Sequence, residues 1–402
     1  MNQTLNKQTR QAVYELLNSI GQALEHLRLS ENDDLRKLVA DGRRQVTETL
    51  ETALSCSLDA KISASELSDE DWLRAMYLTV GELTDPFRPK NRFDREFMEL
   101  LEYVWSHSEI ELLAGMKKNL KTIEEKSKKD YDAFVSYFAR FPLWGTLHPK
   151  QGDYNTLEQR ASVLKRHSYD FLWLYCRMED YLSRRTLYAI LKHWAILDAY
   201  ELQKVKSIFP DYWEPDIFPD REDDILVDVG AFVGDSIKSY VNTYNRNYRK
   251  IYAYEISSDS YNELCNNVAQ WRLHDIEPRR KGVGAVRGEL FLETSTEDAS
   301  SNRLCQDGSM QERVEVVALD EEIEELTFLK MDIEGAEQGA VLGSERLIRT
   351  QHPKLAICVY HGYEDIWKIP LMIDGMYPEY QFYLRHYGGN WPPTEFVLLC
   401  KP

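Results

Sequence analysis

The stretch Ile225-Leu226-Val227-Asp228-Val229-Gly230-Ala231-Phe232-Val233-Gly234-Asp235-Ser236 constrains this chain most, because it joins a strand to a helix through a glycine turn. Unbroken Ile, Leu and Val suit a strand buried on both faces. Gly230 and Gly234 permit a tight turn and let the backbone approach a ligand where a Cβ would collide. A second apolar run, Ile251-Tyr252-Ala253-Tyr254, ends at Glu255, whose carboxylate can accept hydrogen bonds from both hydroxyls of a ribose. The order strand, glycine turn, helix, strand, acid describes a nucleoside pocket made of Asp228, Gly230, Ala231, Phe232, Gly234, Asp235, Ser236 and Glu255.

The glycine spacing narrows the nucleoside. A dinucleotide fingerprint, G-x-G-x-x-G, uses two glycines to admit a pyrophosphate, whereas here bulky Phe232 and Val233 lie inside the turn. No G-K-[ST] follows either, which removes a phosphate loop. S-adenosylmethionine fits better, with its carboxylate on loop amides, its ribose on Glu255 and its sulfonium among acidic groups.

Upstream, Val13, Leu16, Leu17, Ile20, Leu24 and Leu27 recur at helical intervals over residues 5–29, and Leu35 to Leu54 repeat the pattern over 33–54. A helical hairpin is expected, with Ser30-Glu31-Asn32-Asp33 between the arms. Ser68-Asp69-Glu70-Asp71 can cap a third helix, and long polar helices follow from Arg92 to Lys129. The lysines of 117–129 alternate with Glu124 and Glu125, as on a solvated face. Pro and Gly concentrate between Phe141 and Asp153, marking a boundary, and helical spacing resumes over 157–166 and 168–196. Beyond a Pro-bounded connector at 211–219, strands are expected near 225–229, 251–255, 281–286, 314–318, 327–332, 354–360, 380–386 and 394–400, with helices near 234–243, 258–270 and 336–349. Such alternation predicts a mostly parallel α/β sheet. Three segments follow: a helical domain over 1–145, a helical connector over 146–220 and a nucleoside-binding domain over 221–402.

From about residue 175 onward the chain resembles the FkbM-type S-adenosylmethionine-dependent methyltransferases. The glycine loop carries part of the likeness. A second motif is more specific: Leu319-Asp320, then Phe328-Leu329-Lys330-Met331-Asp332-Ile333-Glu334-Gly335-Ala336-Glu337, then Val341-Leu342-Gly343. The resemblance implies a class I methyltransferase fold, a Rossmann-like seven-stranded sheet with its last strand antiparallel, here preceded by an all-α domain. It also implies methyl transfer from S-adenosyl-L-methionine, usually to oxygen. Where many members end the fifth strand in an acidic or polar residue, this chain has Cys358-Val359-Tyr360-His361-Gly362, and the next strand ends in Arg385-His386-Tyr387.

In parallel α/β sheets ligands bind beyond the carboxyl ends of the strands, where strand order reverses. Asp228 and Glu255 then fall on the cofactor side, and Asp332, His361 and His386 on the acceptor side. A base must remove the acceptor's hydroxyl proton, and His361 or Asp332 can serve; orientation of the acceptor and a purely structural imidazole remain open for His361. No metal is expected. Asp332, Glu334 and the two histidines offer ligand atoms, but Glu334 and Glu337 sit near a helix start, which carboxylates favour without an ion.

The formal charge of -18 disfavours nucleic acid as a partner, so a small-molecule or glycan acceptor is expected, on a hydroxyl of a carbohydrate or other polyol-bearing metabolite. Six scattered cysteines, no leader-like start and no apolar run of roughly 18 residues point to a reduced cytoplasmic setting without a membrane span. The apolar stripes of the first two helices suggest a homodimer. The competing expectation is a non-catalytic module that keeps the nucleoside fold and binds a protein through its helical half.

Overall fold

The computed structural model describes residues 69–84, 87–219, 223–293, 303–305, 313–389 and 394–402. The expected helices over 5–29 and 33–54 lie outside these. Two compact units divide the rest, one formed by residues up to Lys118 with Leu157–Cys176, the other by Asn119–Thr156 with Arg177–Pro402.

The described residues of the first unit are helical. Helix Asp69–Thr84 begins in the expected capping run and helix Arg92–Ser106 at the start of the expected polar helices, where Asn91 caps it by accepting from the Phe93 and Asp94 N–H groups. Phe97 stacks on Tyr175 at 3.9 Å between ring centroids, while the Tyr175 hydroxyl donates to buried Asp94 at 2.9 Å. Arg74 pairs with Asp170 at 3.0 Å.

The expected continuous helix over 168–196 is two helices, Ser168–Arg177 and Tyr181–Ile196. The helix breaks at Glu179 because its N–H donates to the Phe382 carbonyl at 3.0 Å, which takes the backbone out of the helical ladder. Asp180 then caps the second helix through the Ser183 N–H at 2.7 Å.

Among its described residues the second unit holds eleven strands: β1 (Ile225–Val229), β2 (Lys250–Tyr254), β3 (Ile276–Arg279), β4 (Gly282–Val283), β5 (Gly288–Glu293), β6 (Arg303–Cys305), β7 (Arg313–Val317), β8 (Phe328–Met331), β9 (Lys354–Cys358), β10 (Gln381–His386) and β11 (Phe396–Lys401). Seven of them form one sheet in the order β10-β11-β9-β8-β1-β2-β3. All neighbours are parallel except β11, which runs antiparallel to both β9 and β10, and this is the expected class I methyltransferase sheet. Strand order reverses between β1 and β8, so the carboxyl ends of those two strands open the ligand-binding crevice.

Three local expectations are corrected. The segments near 281–286 and 314–318 do not enter the main sheet; β4 and β7 pair with each other in a separate four-stranded sheet with β5 and β6. The edge position of the main sheet is taken instead by Ile276-Glu277-Pro278-Arg279, where a proline is tolerated because one side of the strand needs no ladder bond. The helix expected over 336–349 is two, Glu337–Leu342 and Glu345–Gln351. The break falls at Gly343, where an added Cβ would stand 2.0 Å from the Gly284 carbonyl oxygen. A further helix, Asp365–Met376, carries Pro370 in its interior and shows no clear helical period in the sequence.

Candidate active site

At the reversal point the backbones of β1 and β8 nearly touch. Gly230 has φ +81, and a Cβ there would lie 1.9 Å from the Asp332 carbonyl oxygen. Gly234, at φ +87, would meet Leu264 at 2.9 Å and the Trp271 ring at 3.3 Å. Both glycines are therefore demanded by the protein's own packing. Phe232 between them has φ +45, a costly conformation for an aromatic residue, and its N–H donates to Glu255 Oε2 at 2.9 Å. Glu255 Oε1 accepts from the Ser257 N–H at 2.7 Å, so the carboxylate at the end of β2 is fixed from two sides. Burial raises its pKa above the ordinary value despite those two bonds.

Asp228 and Ser236 face each other: the Ser236 hydroxyl donates to Asp228 Oδ2 at 2.5 Å, and Lys330 Nζ lies 3.0 Å from Oδ1. Lys330 also donates to the Gly230 carbonyl at 2.7 Å. Burial alone would lower the lysine's pKa, but Asp228 and Asp332 outweigh it and hold the ammonium charged. Asp228, Lys330 and Ser236 are buried and lock the glycine turn onto the switch point. Ala231 is fully buried, and Asp235 opens helix Asp235–Thr243, where a carboxylate favours the positive end of the dipole.

On the other side of the crevice stand Asp332, after β8, and His361, after β9. Asp332 Oδ2 accepts from the Tyr212 hydroxyl at 2.7 Å. Its Oδ1 lies 3.5 Å from the Tyr360 hydroxyl and from His361 Nε2. Glu334 Oε2 lies 3.7 Å from the same nitrogen. His361 is fully buried; its Nδ1 meets Glu337 Oε1 at 2.9 Å, and its Nε2 has no hydrogen-bond partner. Glu337 is held by the Ile333 and Gly335 N–H groups at 2.8 and 3.0 Å.

Burial works against a charged His361, yet Glu337, Glu334 and Asp332 outweigh it and raise its pKa to about 10. A protonated imidazole has no lone pair, so His361 must give up its Nε2 proton before that nitrogen can accept a proton or bind a cation. Burial likewise pushes against the Asp332 carboxylate, but His361, Lys330 and Tyr212 hold its pKa below the ordinary value. Burial and the neighbouring Asp332 push Glu395 up to about 7.

His386 does not join them. It ends β10, separated from β8 by two strands, with its ring against Phe396 and Nδ1 at 3.1 Å from the Thr394 carbonyl. Burial lowers its pKa to about 4, which keeps it neutral.

Several residues at the site carry no advance signal. Tyr212 belongs to a segment that reads as a connector, and Glu337 reads as a helix-start acid, which it is while also holding His361. Tyr137, Phe141 and Trp144 form a half-buried aromatic group with ring centroids 4.9 and 5.4 Å from Tyr137, and the Trp144 indole donates to the Tyr360 carbonyl beside His361.

Residues 228–388 match the Methyltransferase FkbM domain. They form an FkbM methyltransferase domain. The crystal structure of methyltransferase FkbM from Methylobacillus flagellatus KT is similar at 23% identity and a TM-score of 0.50, covering 60% of this chain and 62% of that one. That likeness extends the shared fold beyond the FkbM domain, over less than two thirds of that structure's length. Lower similarity links the chain to an rRNA methylase from Streptococcus thermophilus (12% identity, TM-score 0.31, 45% of this chain and 87% of that one). Fibrillarin from Aeropyrum pernix, with natively bound S-adenosyl-L-methionine, gives 13% identity and a TM-score of 0.30 over 45% of this chain and 67% of that one. No curated protein matches the chain. An FkbM methyltransferase fold implies S-adenosyl-L-methionine as the cofactor.

Proposed function

We propose that this chain transfers the methyl group of S-adenosylmethionine to a hydroxyl oxygen of a carbohydrate or other polyol-bearing metabolite. The observation that carries this reading is the fixed Glu255 carboxylate, joined through the Phe232 N–H to the strained turn at the switch point. Each of its oxygens keeps a second lone pair for a ribose hydroxyl. Gly230, Ala231, Phe232, Gly234 and Asp235 frame the cofactor, while Asp228 and Ser236 support the turn from behind.

Methyl transfer is an in-line displacement at carbon, so the acceptor oxygen must be aligned opposite sulfur. Asp332 Oδ1, facing the crevice while Oδ2 is taken by Tyr212, holds the acceptor hydroxyl. His361 fixes that carboxylate from beneath, and His386 supports the neighbouring strand. The half-buried rings of Tyr137, Phe141 and Trp144, tied to this end of β9, offer the flat apolar faces on which a sugar ring packs.

Residues 1–145 are proposed as a separate helical domain that forms a homodimer, 146–220 as its connector and 221–402 as the catalytic domain. A reducing cytoplasm fits Cys176, Cys265, Cys358 and Cys400, all free thiols. Among the described residues no helix is long and apolar enough to cross a membrane.

Incubation with methyl-labelled S-adenosylmethionine and a panel of sugars and polyols tests the reading. Label in an alkali-stable ether is expected, and Asp332→Asn should retain S-adenosylhomocysteine affinity while turnover falls by about 10- to 100-fold, the value of a hydrogen bond to a charged group. Label confined to amines, or cofactor bound with no transfer to any acceptor class, overturns it.

A further inference from the structure

We infer that Asp332, Glu334 and His361 form a binding site for one first-row divalent cation. One nitrogen and two carboxylate oxygens from these residues all lie within 4.8 Å of one another. With His361 Nε2 at 3.5 Å from Asp332 and 3.7 Å from Glu334, a point within about 2.4 Å of all three exists, a few tenths of an ångström beyond ordinary metal bonds of about 2.0–2.2 Å.

Three acids near a histidine are not in themselves a site. What distinguishes this group is the Nε2 atom of His361, fully buried, without a hydrogen-bond partner, and aimed between the two carboxylates. Its other nitrogen is engaged by Glu337, whose carboxylate is anchored by two backbone N–H groups. An incoming cation displaces the Nε2 proton, and a carboxylate on Nδ1 fixes the tautomer that then turns the Nε2 lone pair to the metal, the arrangement found behind metal-bound histidines. Nor does the helix account for Glu334. Helix Glu337–Leu342 begins three residues later, and Glu334 sits at φ +55 in the turn before it.

Mixed imidazole and carboxylate ligands suit Mn²⁺, Fe²⁺, Co²⁺ or Zn²⁺ better than Mg²⁺ or Ca²⁺, which prefer oxygen alone. Asp332 and Glu334 each keep 22% of their side chains exposed, so the site opens toward the crevice and leaves coordination positions for another ligand. That ligand is the acceptor hydroxyl, a role that rests on the methyltransferase reading above. Bound to the cation, the hydroxyl loses its proton to solvent. An oxygen lone pair forms the bond to the methyl carbon as the carbon–sulfur bond breaks, and sulfur keeps the electron pair of the broken bond, leaving a neutral thioether.

Mn²⁺ titration of the full chain, followed by electron paramagnetic resonance, tests the site, with S-adenosylhomocysteine affinity measured on the same samples. One Mn²⁺ per chain is expected, with nitrogen modulation from an imidazole ligand. Glu334→Gln, at a partly exposed position, should weaken Mn²⁺ at least tenfold while leaving the circular dichroism spectrum and S-adenosylhomocysteine affinity unchanged. His361→Gln should remove the nitrogen modulation. Absence of saturable Mn²⁺ binding, or binding indifferent to Glu334→Gln, overturns the cation site while the methyltransferase reading stands. Mn²⁺ bound as described by a chain that binds no S-adenosylhomocysteine sustains the site and defeats that reading instead.

Discussion

The Glu337 carboxylate joins two structures: its Oε1 lies 2.9 Å from His361 Nδ1, and the same side chain accepts the Ile333 and Gly335 N–H groups of the turn after β8. It therefore ties the end of β9 to the end of β8, across the acceptor side of the crevice.

Because Glu337 and His361 are both fully buried, removing the carboxylate leaves three donors without a partner. Glu337→Ala should lower unfolding free energy by roughly 3–5 kcal/mol, the range for breaking a buried ionic contact. Urea denaturation measures it, and a loss under about 1 kcal/mol would mean that the tie contributes little.

Gly230 and Gly152 separate collision from backbone strain. Both have positive φ, +81 and +78, but a Cβ on Gly230 would strike the Asp332 carbonyl, whereas nothing lies within 4 Å of one on Gly152. Gly152→Ala should cost about 1 kcal/mol from conformation alone. Gly230→Ala should cost several-fold more and abolish S-adenosylhomocysteine binding, because β1 and β8 must separate at the switch point. Equal melting temperatures for the two variants would refute the packing explanation.

Asp180 gives the fold an acid-sensitive contact. Burial pushes its pKa up, but Arg385, at 2.7 Å, and the Ser183 bonds bring the net value below the ordinary one. A depressed folded pKa contributes stability that is present above about pH 4, the unfolded value, and is lost as pH falls through the folded value. Asp180→Asn keeps the helix cap but removes the charge. The variant should be less stable than the parent at pH 7, and the gap should close as pH drops below about 4. Denaturation curves across that range decide it; a gap that is constant with pH would show that Arg385 adds nothing.

Much of this architecture is written locally. The Ile225–Val229 run, both glycines and Glu255 declare strand, turn and strand-end acid, since each depends on residue types within a few positions. The small sheet of β4 to β7 is not legible, because its strands are short and their partners are set by tertiary contacts. Strand β3 is hidden by Pro278, which only an edge position tolerates. In the site, Asp332 and His361 are visible as strand-end residues, and β8 and β9, adjacent in the sheet, bring them together. Position alone misleads for His386, since two strands separate β10 from β8 and its ring packs on Phe396. The charge state of His361 is equally non-local: it depends on Glu334 and Glu337, which approach the imidazole only once the turn after β8 has closed.

The most direct measurement of the account is calorimetric titration of the full chain with S-adenosylmethionine, S-adenosylhomocysteine and NAD, repeated on Glu255→Ala. The account predicts binding of both sulfur nucleosides, none of NAD, and a loss of roughly 1.5–3 kcal/mol in the variant, the value of hydrogen bonds to a charged group. Unchanged affinity in Glu255→Ala, or NAD binding more tightly than S-adenosylmethionine, would contradict it.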